Sequence, residues 1–367
     1  MKVIIAGGGT AGHINPGIAI AKQIRKEYPG SEILFIGTKR GMETKLVPYE
    51  GFEIKFIRVK GFRRKISLDT LIWLKELFLG ICEARKIIKQ FRPDTVIGTG
   101  GYVCGPVVFV ASMMNIPTLI HEQNAFPGVT NRILSRFVDA VAISFRESER
   151  YFRSKEKLYY TGNPVRQEIL KADKMSAREK LGIDMKKPLV VVVGGSLGAE
   201  RINDTIVEML KKRSGQYSFN MIFATGNGQY DRVMQLLQGV KTPNVDIVPY
   251  IYDAANVYAA ADLIVCRAGA ITCSELTALG VPAIMIPSPN VVANHQEYNA
   301  RALEKNGAAV VILEKDLSEE ILYNQIMRLL GDKKQLRKMA ENSKKSGITN
   351  SAEKICWIID KLVFGGK

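Results

Sequence analysis

One arrangement of residues occurs twice in the chain, and it constrains the fold more than any other feature. The apolar run KVII precedes AGGGTAGHINPG at residues 6–17, and the run LVVVV precedes GGSLGAERIN at residues 194–203. Each arrangement predicts a buried strand, a glycine-rich loop and the start of a helix. Parallel sheets are built from such units, so the repeat predicts two α/β domains of similar construction.

Short apolar runs alternate with amphipathic stretches along the rest of the chain. Strands are predicted within KVIIAG, EILFIG, FEIKFIRV, DTVIGTG, PTLIHE, AVAIS and KLYYTG, and then within LVVVV, MIFATG, VDIVPY, DLIVCRAG, PAIMIP and AAVVIL. The alternation indicates two doubly wound parallel sheets, which bind ligands beyond the carboxyl ends of their strands. We therefore expect Rossmann-like domains at 1–163 and 164–340 that face each other across a cleft. A C-terminal helical segment, 341–367, is expected to dock back on the first domain.

The charge balance favours an anionic partner. The chain has 52 Lys and Arg against 36 Asp and Glu, which gives a formal charge of +16. This charge suits binding to nucleic acid, an anionic membrane or a phosphorylated substrate, or it reflects a solvated basic surface.

Five cysteines without a C-x-x-C pair argue against a disulfide framework, and three histidines without metal-ligand spacing predict no structural metal. The N-terminal apolar run breaks at Gly7, so no signal peptide is expected, and the apolar stretch YVCGPVVFVASMM is too short to span a bilayer. Membrane contact is therefore expected to be peripheral.

The first glycine loop fits G-x-G-x-x-G at positions 7, 9 and 12, a pattern of dinucleotide sites. The second strand ends in FIGTKRG, without the carboxylate that binds an NAD ribose, although Lys39 and Arg40 leave NADP open. Backbone N–H groups at a helix start more generally favour an anion or developing negative charge. His13 lies beside them, where an imidazole can exchange a proton near neutral pH or bond to the helix start.

Two more glycine loops follow later strands. Gly194, Gly195, Ser196 and Gly198 precede a helix and suit a phosphate or pyrophosphate. The loop GTGGYVCGP, with glycines at positions 98, 100 and 101, lets backbone approach a ligand closely. A dehydrogenase needs one dinucleotide loop. Glycine-rich edges in both halves therefore favour a two-substrate transferase with one substrate in each domain.

Polar side chains also gather at predicted strand ends and helix starts. HEQNAFPG places His121, Glu122, Gln123 and Asn124 at a sheet edge, where they bind sugar hydroxyls or satisfy one another. Glu275 lies in the first turns of a helix, where its carboxylate holds a ribose or interacts with the helix dipole. His295 and Gln296 begin another helix.

A basic and apolar stretch, KFIRVKGFRRKISLDTLIWLKELFLGICEARKII, favours a membrane surface. Arg63, Arg64 and Lys65 precede a helix with apolar residues on too many sides for packing alone. One stripe is enough for packing: Leu74, Leu77, Phe78, Ile81 and Ile88. Four residues lie mostly off that stripe: Leu68, Ile72, Trp73 and Leu79. Such excess apolar surface beside cations suits an anionic membrane, and the alternative is a helix buried on two sides.

Seven motifs together resemble the MurG family of peripheral membrane glycosyltransferases. They are GGGTAGHINPG, GTGGYVCGP, HEQNAFPGVTNR, GNPVR, GGSLGA, RAGAITCSE and NHQEYNA, in that order over nearly the whole chain. The resemblance implies the GT-B fold, with an acceptor lipid at the N-terminal domain and UDP-N-acetylglucosamine mainly at the C-terminal one. It implies inverting transfer of N-acetylglucosamine to the C4 hydroxyl of lipid I, giving lipid II for peptidoglycan, at the cytoplasmic face of the membrane. No cofactor, metal or nucleic acid is implied.

The resemblance also implies roles for individual residues. The donor contacts are Thr10, Ala11, Gly12, Asn124, Arg166, Ser196, Ile251, Ala270, Ile271, Glu275, His295 and Gln296. The acceptor side comprises Gly100, Gly101, Tyr102 and His121. The general base is His13, with Glu122 as the alternative, and His295 stands where other members carry glutamine. Two other functions are possible. A UDP-N-acetylglucosamine 2-epimerase shares the two-domain architecture, and a basic nucleotide-binding protein without catalytic activity shares the positive charge.

Overall fold

The chain divides into two compact units, Met1–Pro164 with Asn350–Lys367, and Val165–Thr349. The computed structural model describes residues 1–59, 68–195, 198–213 and 215–365, without the side chains of residues 68–73. The first boundary lies one residue beyond the expected end of the first domain. The expected terminal segment, 341–367, is corrected, because the helix that ends at Ser346 belongs to the second unit and only the last helix belongs to the first.

Both units alternate strands and helices. The strands are β1 (Lys2–Gly7), β2 (Glu32–Gly37), β3 (Glu53–Phe56), β4 (Thr95–Gly100), β5 (Thr118–Glu122), β6 (Ala140–Ile143), β7 (Leu158–Tyr160), β8 (Leu189–Val193), β9 (Asn220–Ala224), β10 (Val245–Val248), β11 (Leu263–Cys266), β12 (Ala283–Met285) and β13 (Ala309–Val311). The helices are α1 (Ala11–Glu27), α2 (Glu43–Tyr49), α3 (Leu68–Phe91), α4 (Cys104–Met113), α5 (Val129–Leu134), α6 (Gln167–Lys171), α7 (Lys174–Lys180), α8 (Glu200–Arg213), α9 (Tyr230–Leu236), α10 (Ala254–Ala260), α11 (Ala270–Leu279), α12 (His295–Lys305), α13 (Glu319–Gly331), α14 (Lys333–Ser346) and α15 (Ser351–Phe364). Each predicted apolar run contains one of these strands.

The described part of the first unit has a parallel sheet in the order β3-β2-β1-β4-β5-β6-β7. Val3, Ile4 and Ile5 of β1 are fully buried, as expected for a central parallel strand covered on both faces. On one face, α1 packs beside α15, which contributes buried Ile355 and Ile359. Burying such a side chain stabilises the fold by about 1.5–3 kcal/mol, so the C-terminal helix is an integral part of this unit.

The described part of the second unit has a parallel sheet in the order β10-β9-β8-β11-β12-β13. Its central strand β8 is a continuous apolar run that contacts α10, and α13 packs on α8. In both sheets the order of the strands reverses at one place, between β1 and β4 or between β8 and β11. Ligands bind at such switch points in doubly wound sheets, which directs attention to the loops after these four strands.

The apolar face of α3 differs from the predicted stripe. Leu74 and Phe78, expected to pack inward, have exposed fractions of 50% and 66%. The buried face is formed by Ala84, Ile87 and Ile88, in the half of the helix that packs on α4. Ile88 of the predicted stripe is buried and Ile81 packs against the same core, so periodicity placed these two residues correctly. It failed for Leu74 and Phe78 because apolar residues occur on several sides of this helix.

Candidate active site

A buried carboxylate lies beneath the first glycine loop. Glu43, the first residue of α2, is fully buried, and its Oε2 accepts a hydrogen bond of 3.0 Å from the Gly9 N–H. Its Oε1 accepts from the amide and the hydroxyl of Thr38, at 2.9 and 2.8 Å. A Cβ on any of three neighbouring glycines would collide with the Glu43 side chain: Gly8, Gly37 and Gly41. The Gly9 N–H is therefore already paired with a side chain of the chain itself.

The loops after β1 and β4 meet at the switch point of the first sheet. His13, in the first turn of α1, is half-buried beside Gly100, where a Cβ would stand 2.6 Å from the imidazole Nδ1. Gly100 and Gly101 have φ angles of +105° and +80°, which only glycine adopts without strain. Tyr102 follows with 38% of its surface exposed. The structure thus brings the predicted base together with three of the predicted acceptor residues. Three predicted donor contacts precede His13 directly: Thr10, Ala11 and Gly12.

A buried hydrogen-bond network connects His13 to β5. The Nδ1 atom of His13 lies 3.1 Å from Oε1 of Gln123, and Nε2 of Gln123 lies 2.8 Å from the Thr99 carbonyl and 3.0 Å from Nδ1 of His121. The Nε2 atom of His121 lies 3.1 Å from the Gly162 carbonyl. Burial lowers the pKa of His121 to about 4, so this imidazole is neutral at pH 7. His121 is 0% exposed, and the predicted direct contact with an acceptor is therefore corrected to a role inside this network.

Glu122, the alternative base, is occupied by the loop that follows β5. It is 1% exposed, and its Oε1 accepts a 2.9 Å hydrogen bond from the Asn124 amide. Its Oε2 accepts from the Gly128 amide at 3.0 Å and from Nδ2 of Asn131 at 2.9 Å. The carboxylate therefore holds the loop in place, and it leaves Asn124 half-buried at the sheet edge.

The second unit has a cleft of about 710 Å³ at its own switch point. This volume lies in the range of pockets for small molecules and cofactors, about 300–1,000 Å³. The glycine loop after β8 and the N-terminus of α11 both border the cleft, and two of the glycines have φ angles of +95° and +79°, Gly195 and Gly198. Residues around the cleft include Gly194, Tyr258, Gly269, Thr272, Asn290 and Gln296. Ser196, a predicted donor contact, lies outside the described residues.

Arg166 and Glu275 form an ion pair within the second unit. Nε of Arg166 donates to Oε1 of Glu275 at 2.8 Å, and the side chains are 54% and 7% exposed. Burial raises the pKa of the Glu275 carboxyl above its ordinary value, and the guanidinium of Arg166 offsets this only in part. Glu275 lies in the second turn of α11 rather than the first, so an interaction with the helix dipole does not account for it. A buried carboxylate beside a half-exposed cation can bind hydroxyl groups and a phosphate.

The other donor contacts predicted in this unit lie around the same edge. Gln296 borders the cleft, and its Oε1 accepts a 2.9 Å hydrogen bond from the Ser288 amide. Nδ1 of His295, at the start of α12, lies 2.9 Å from the Val292 carbonyl. Three more are buried or half-buried at the ends of neighbouring elements: Ile251, Ala270 and Ile271.

The predicted membrane surface is described only in part. Arg63, Arg64 and Lys65 lie outside the described residues, and Leu68, Ile72 and Trp73 are placed in α3 without a described side chain. Leu79 is half-buried, whereas Leu74 and Phe78 are exposed. Among the helices in the described ranges, none has the length and apolar character needed to cross a bilayer.

One polar residue of the site escaped the sequence reasoning. Glu43 belongs to no motif, and its only signal is the set of glycines that surround it. Gln123 was expected at this sheet edge with its neighbours, but the sequence did not reveal its contact with His13. All five cysteines are unpaired, and in the described ranges no three His, Cys, Asp or Glu side chains are grouped to hold a metal.

Known proteins share both the sequence and the fold of this chain. Residues 3–143 match the Glycosyltransferase family 28 N-terminal domain, and residues 189–355 match the Glycosyltransferase family 28 C-terminal domain. A protein of Acetivibrio thermocellus is 63% identical over 363 residues, covering 99% of this chain and 98% of its own length. It is named UDP-N-acetylglucosamine–N-acetylmuramyl-(pentapeptide) pyrophosphoryl-undecaprenol N-acetylglucosamine transferase.

Two solved structures place the fold. The crystal structure of Acinetobacter baumannii MurG has a TM-score of 0.81 and 32% identity, covering 98% of this chain and 99% of that one. The UDP-GlcNAc 2-epimerase of Neisseria meningitidis has a TM-score of 0.68 and 16% identity, covering 98% and 100%, so it shares the fold alone. From the sequence matches and the first structure, the chain belongs to the MurG family of UDP-N-acetylglucosamine-dependent glycosyltransferases, within glycosyltransferase family 28 and with the GT-B fold.

Proposed function

We propose that this chain transfers N-acetylglucosamine from UDP-N-acetylglucosamine to the C4 hydroxyl of N-acetylmuramyl-(pentapeptide) pyrophosphoryl-undecaprenol. The observation that carries the proposal is that each unit has its own ligand edge at its switch point. One edge presents a general-base candidate, His13, and the other is a cleft of about 710 Å³ bordered by a glycine loop. The substrates are those in the name of the 63% identical relative.

The second unit holds the donor in this proposal. The diphosphate lies against the glycine loop after β8 and the N-termini of α8 and α11, where backbone N–H groups and helix dipoles favour an anion. Glu275 accepts hydrogen bonds from the ribose hydroxyls. Arg166 keeps its Nε–H on Glu275, while its half-exposed guanidinium meets the charge that develops on the leaving UDP. Ile251, Ala270, Ile271, His295 and Gln296 complete the contacts.

The first unit holds the acceptor and supplies the base. The C4 hydroxyl oxygen forms a bond with the anomeric carbon of N-acetylglucosamine while the bond from that carbon to the diphosphate oxygen breaks. His13 takes the hydroxyl proton, and UDP leaves with the electron pair. This single displacement inverts the anomeric configuration from α to β. Glu122 is the weaker base candidate, because its oxygens already accept hydrogen bonds from Asn124, Gly128 and Asn131.

The lipid-linked acceptor requires contact with a membrane, which we place at α3 of the first unit. Leu74 and Phe78 are four residues apart on one face of this helix and are half or more exposed. Arg63, Arg64 and Lys65 precede α3 in the sequence and add attraction to anionic lipid. The proposed location is the cytoplasmic face of the cell membrane, with the protein bound peripherally.

The test is to offer UDP-N-acetylglucosamine and a soluble lipid I analogue to the full chain. We expect a β-linked disaccharide and UDP in equal amounts. His13→Ala should lower kcat by about 10²- to 10⁴-fold, the usual contribution of a general base. Glu319→Gln is the control, because Glu319 is a 5% exposed glutamate that pairs with Lys212 away from both edges. Release of UDP without disaccharide, or epimerised donor as the product, would refute the proposal.

A further inference from the structure

A chain of buried hydrogen bonds leads from the Gly162 carbonyl through His121 and Gln123 to His13. We infer that Gln123 is a positioning residue that holds His13 in the tautomer with its proton on Nδ1, leaving Nε2 free to accept a proton. The tautomer follows from the hydrogen-bond geometry and from the neutral state of buried His121, and it does not depend on the proposed function. Its catalytic consequence rests on the proposed function, in which His13 is the base.

The first step fixes the proton of His121. Its Nε2 lies 3.1 Å from the Gly162 carbonyl oxygen, which only accepts hydrogen bonds, so Nε2 carries the hydrogen. Ser144 Oγ lies 3.2 Å from the same nitrogen and can accept as well, because its own proton points to the Glu122 carbonyl at 2.8 Å or to Asn163 Oδ1 at 2.9 Å. Since buried His121 is neutral, its Nδ1 bears a lone pair.

The second step fixes the amide of Gln123. The amide nitrogen Nε2 lies 2.8 Å from the Thr99 carbonyl, 3.1 Å from the His121 carbonyl and 3.0 Å from Nδ1 of His121. All three of these atoms are acceptors, so the end of the amide that faces them must be the NH₂ group. Turning the amide over would set Oε1 against two carbonyl oxygens and a lone pair in a fully buried place. Oε1 therefore faces His13.

The third step fixes the proton of His13. Its Nδ1 lies 3.1 Å from Oε1 of Gln123, and an amide oxygen can only accept, so Nδ1 carries the hydrogen. A neutral imidazole has one N–H, which leaves the lone pair on Nε2. No partner of Nε2 is found among the residues that the structure describes. The contact exists because Gly100 has no Cβ, which would stand 2.6 Å from Nδ1.

The position of the proton on His13 Nδ1 matters because free histidine in water favours the opposite tautomer, with the hydrogen on Nε2. A base held in that form would present a donor, not an acceptor, to the attacking hydroxyl. The network therefore selects the reactive form before substrate binds. After proton transfer, both nitrogens carry hydrogens, and the Gln123 oxygen stabilises the cation as a dipole without adding a charge.

The decisive measurement is the ¹⁵N NMR spectrum of full-length protein labelled at histidine, recorded at a pH where the imidazoles are neutral. The chain has 3 histidines, and His13→Gln and His295→Gln assign the signals. We expect a protonated Nδ1 and a lone pair on Nε2 for His13, and the reverse for His121. A His13 signal from the Nε2–H tautomer, or from an averaged mixture, would overturn the inference. No substituted enzyme has to remain active for this result.

Kinetics of Gln123→Met supply a second test. Methionine fills the space without an oxygen, so the His13 signals should move toward the Nε2–H tautomer, with kcat lower by about 10²-fold and KM for the donor changed less than about threefold. Ser144→Ala is the control, because it removes a polar neighbour of His121 and leaves the Gly162 carbonyl in place. Unchanged kcat in Gln123→Met would overturn the inference. If the parent enzyme formed no disaccharide while His13 showed the Nδ1–H tautomer, the proposed function would fail and the tautomer would stand.

Discussion

Replacing Glu275 by Gln isolates the electrostatic part of donor binding. Glutamine has the same shape as glutamate, so the packing of α11 is kept. The change removes a negative charge from a side chain that is 7% exposed and that binds Nε of Arg166 at 2.8 Å. If the carboxylate holds the ribose hydroxyls, UDP should bind more weakly to Glu275→Gln.

The size of the loss follows from the burial of the carboxylate. A hydrogen bond to a charged group contributes about 1.5–3 kcal/mol, which corresponds to a change of about 10- to 150-fold in Kd. The burial also predicts the effect on stability. Because burial raises the pKa of Glu275, its charge is poorly solvated in the ligand-free protein, so its removal should leave the free energy of unfolding unchanged within about 1 kcal/mol.

Isothermal titration of UDP into the parent protein, Glu275→Gln and Glu319→Gln measures the difference. Glu319 and Glu275 have the same exposed fraction, 5%, and both pair with a cation, so the control reports the general cost of altering a buried glutamate. We expect weaker binding only in Glu275→Gln. Affinity within about twofold of the parent would refute the ribose contact, and equal losses in both variants would show an effect on folding instead.

Three more expectations concern strain, acidity and membrane contact. Gly101→Ala should lower the free energy of unfolding, measured in urea, by about 2–4 kcal/mol, because φ is +80° and the new Cβ would collide with the Gly8 carbonyl. The control is Gly182→Ala, where φ is +65° and no atom lies near the new Cβ. It should lower the same free energy by about 1 kcal/mol. The free energy of unfolding of the parent protein should fall by about 3 kcal/mol from pH 6.5 to pH 4. The reason is that burial keeps His121 neutral in the folded state, with a pKa of about 4, whereas the unfolded chain takes up the proton over this interval. A flat profile over that interval would contradict the burial of His121. Phe78→Ser should reduce co-sedimentation of the protein with anionic vesicles more than Ile321→Ser does. Ile321 is the control because it is a 48% exposed residue of the second unit. If both variants sedimented with the vesicles equally well, α3 would not be the membrane contact.

The pattern of elements was predictable because both sheets are parallel and buried. Central strands such as β1 and β8 are continuous apolar runs, and glycine or polar turns mark their ends. The side of α3 that packs was predictable only in part. Ile81 and Ile88 pack as the stripe predicts, but apolar residues surround the helix, and only tertiary contacts bury Ala84 and leave Leu74 and Phe78 exposed. The same reason explains the error in the terminal segment, where sequence composition does not distinguish α14 from α15 as members of different units.

The candidate site was predictable where backbone geometry requires a residue type, and less so where side chains pair. Gly100 and Gly101 are marked by the need for positive φ, and His13 by its place at the start of a helix. Glu122 and His13 were both possible bases from the sequence, because a strand end does not reveal which hydrogen bonds its side chains make. Only the hydrogen-bond partners of Glu122 show that its carboxylate holds a loop.

The two glycine loops have similar sequences but different electrostatic surroundings. Beneath the first, the fully buried Glu43 takes the Gly9 N–H and places a carboxylate under the loop, which opposes a second anion at that point. In the second, the Gly198 N–H donates to the Gly195 carbonyl at 3.0 Å. Backbone amides favour a diphosphate only where no buried anion competes for them. This difference supports the proposal that the diphosphate binds to the second unit and that the edge beside His13 receives a neutral hydroxyl.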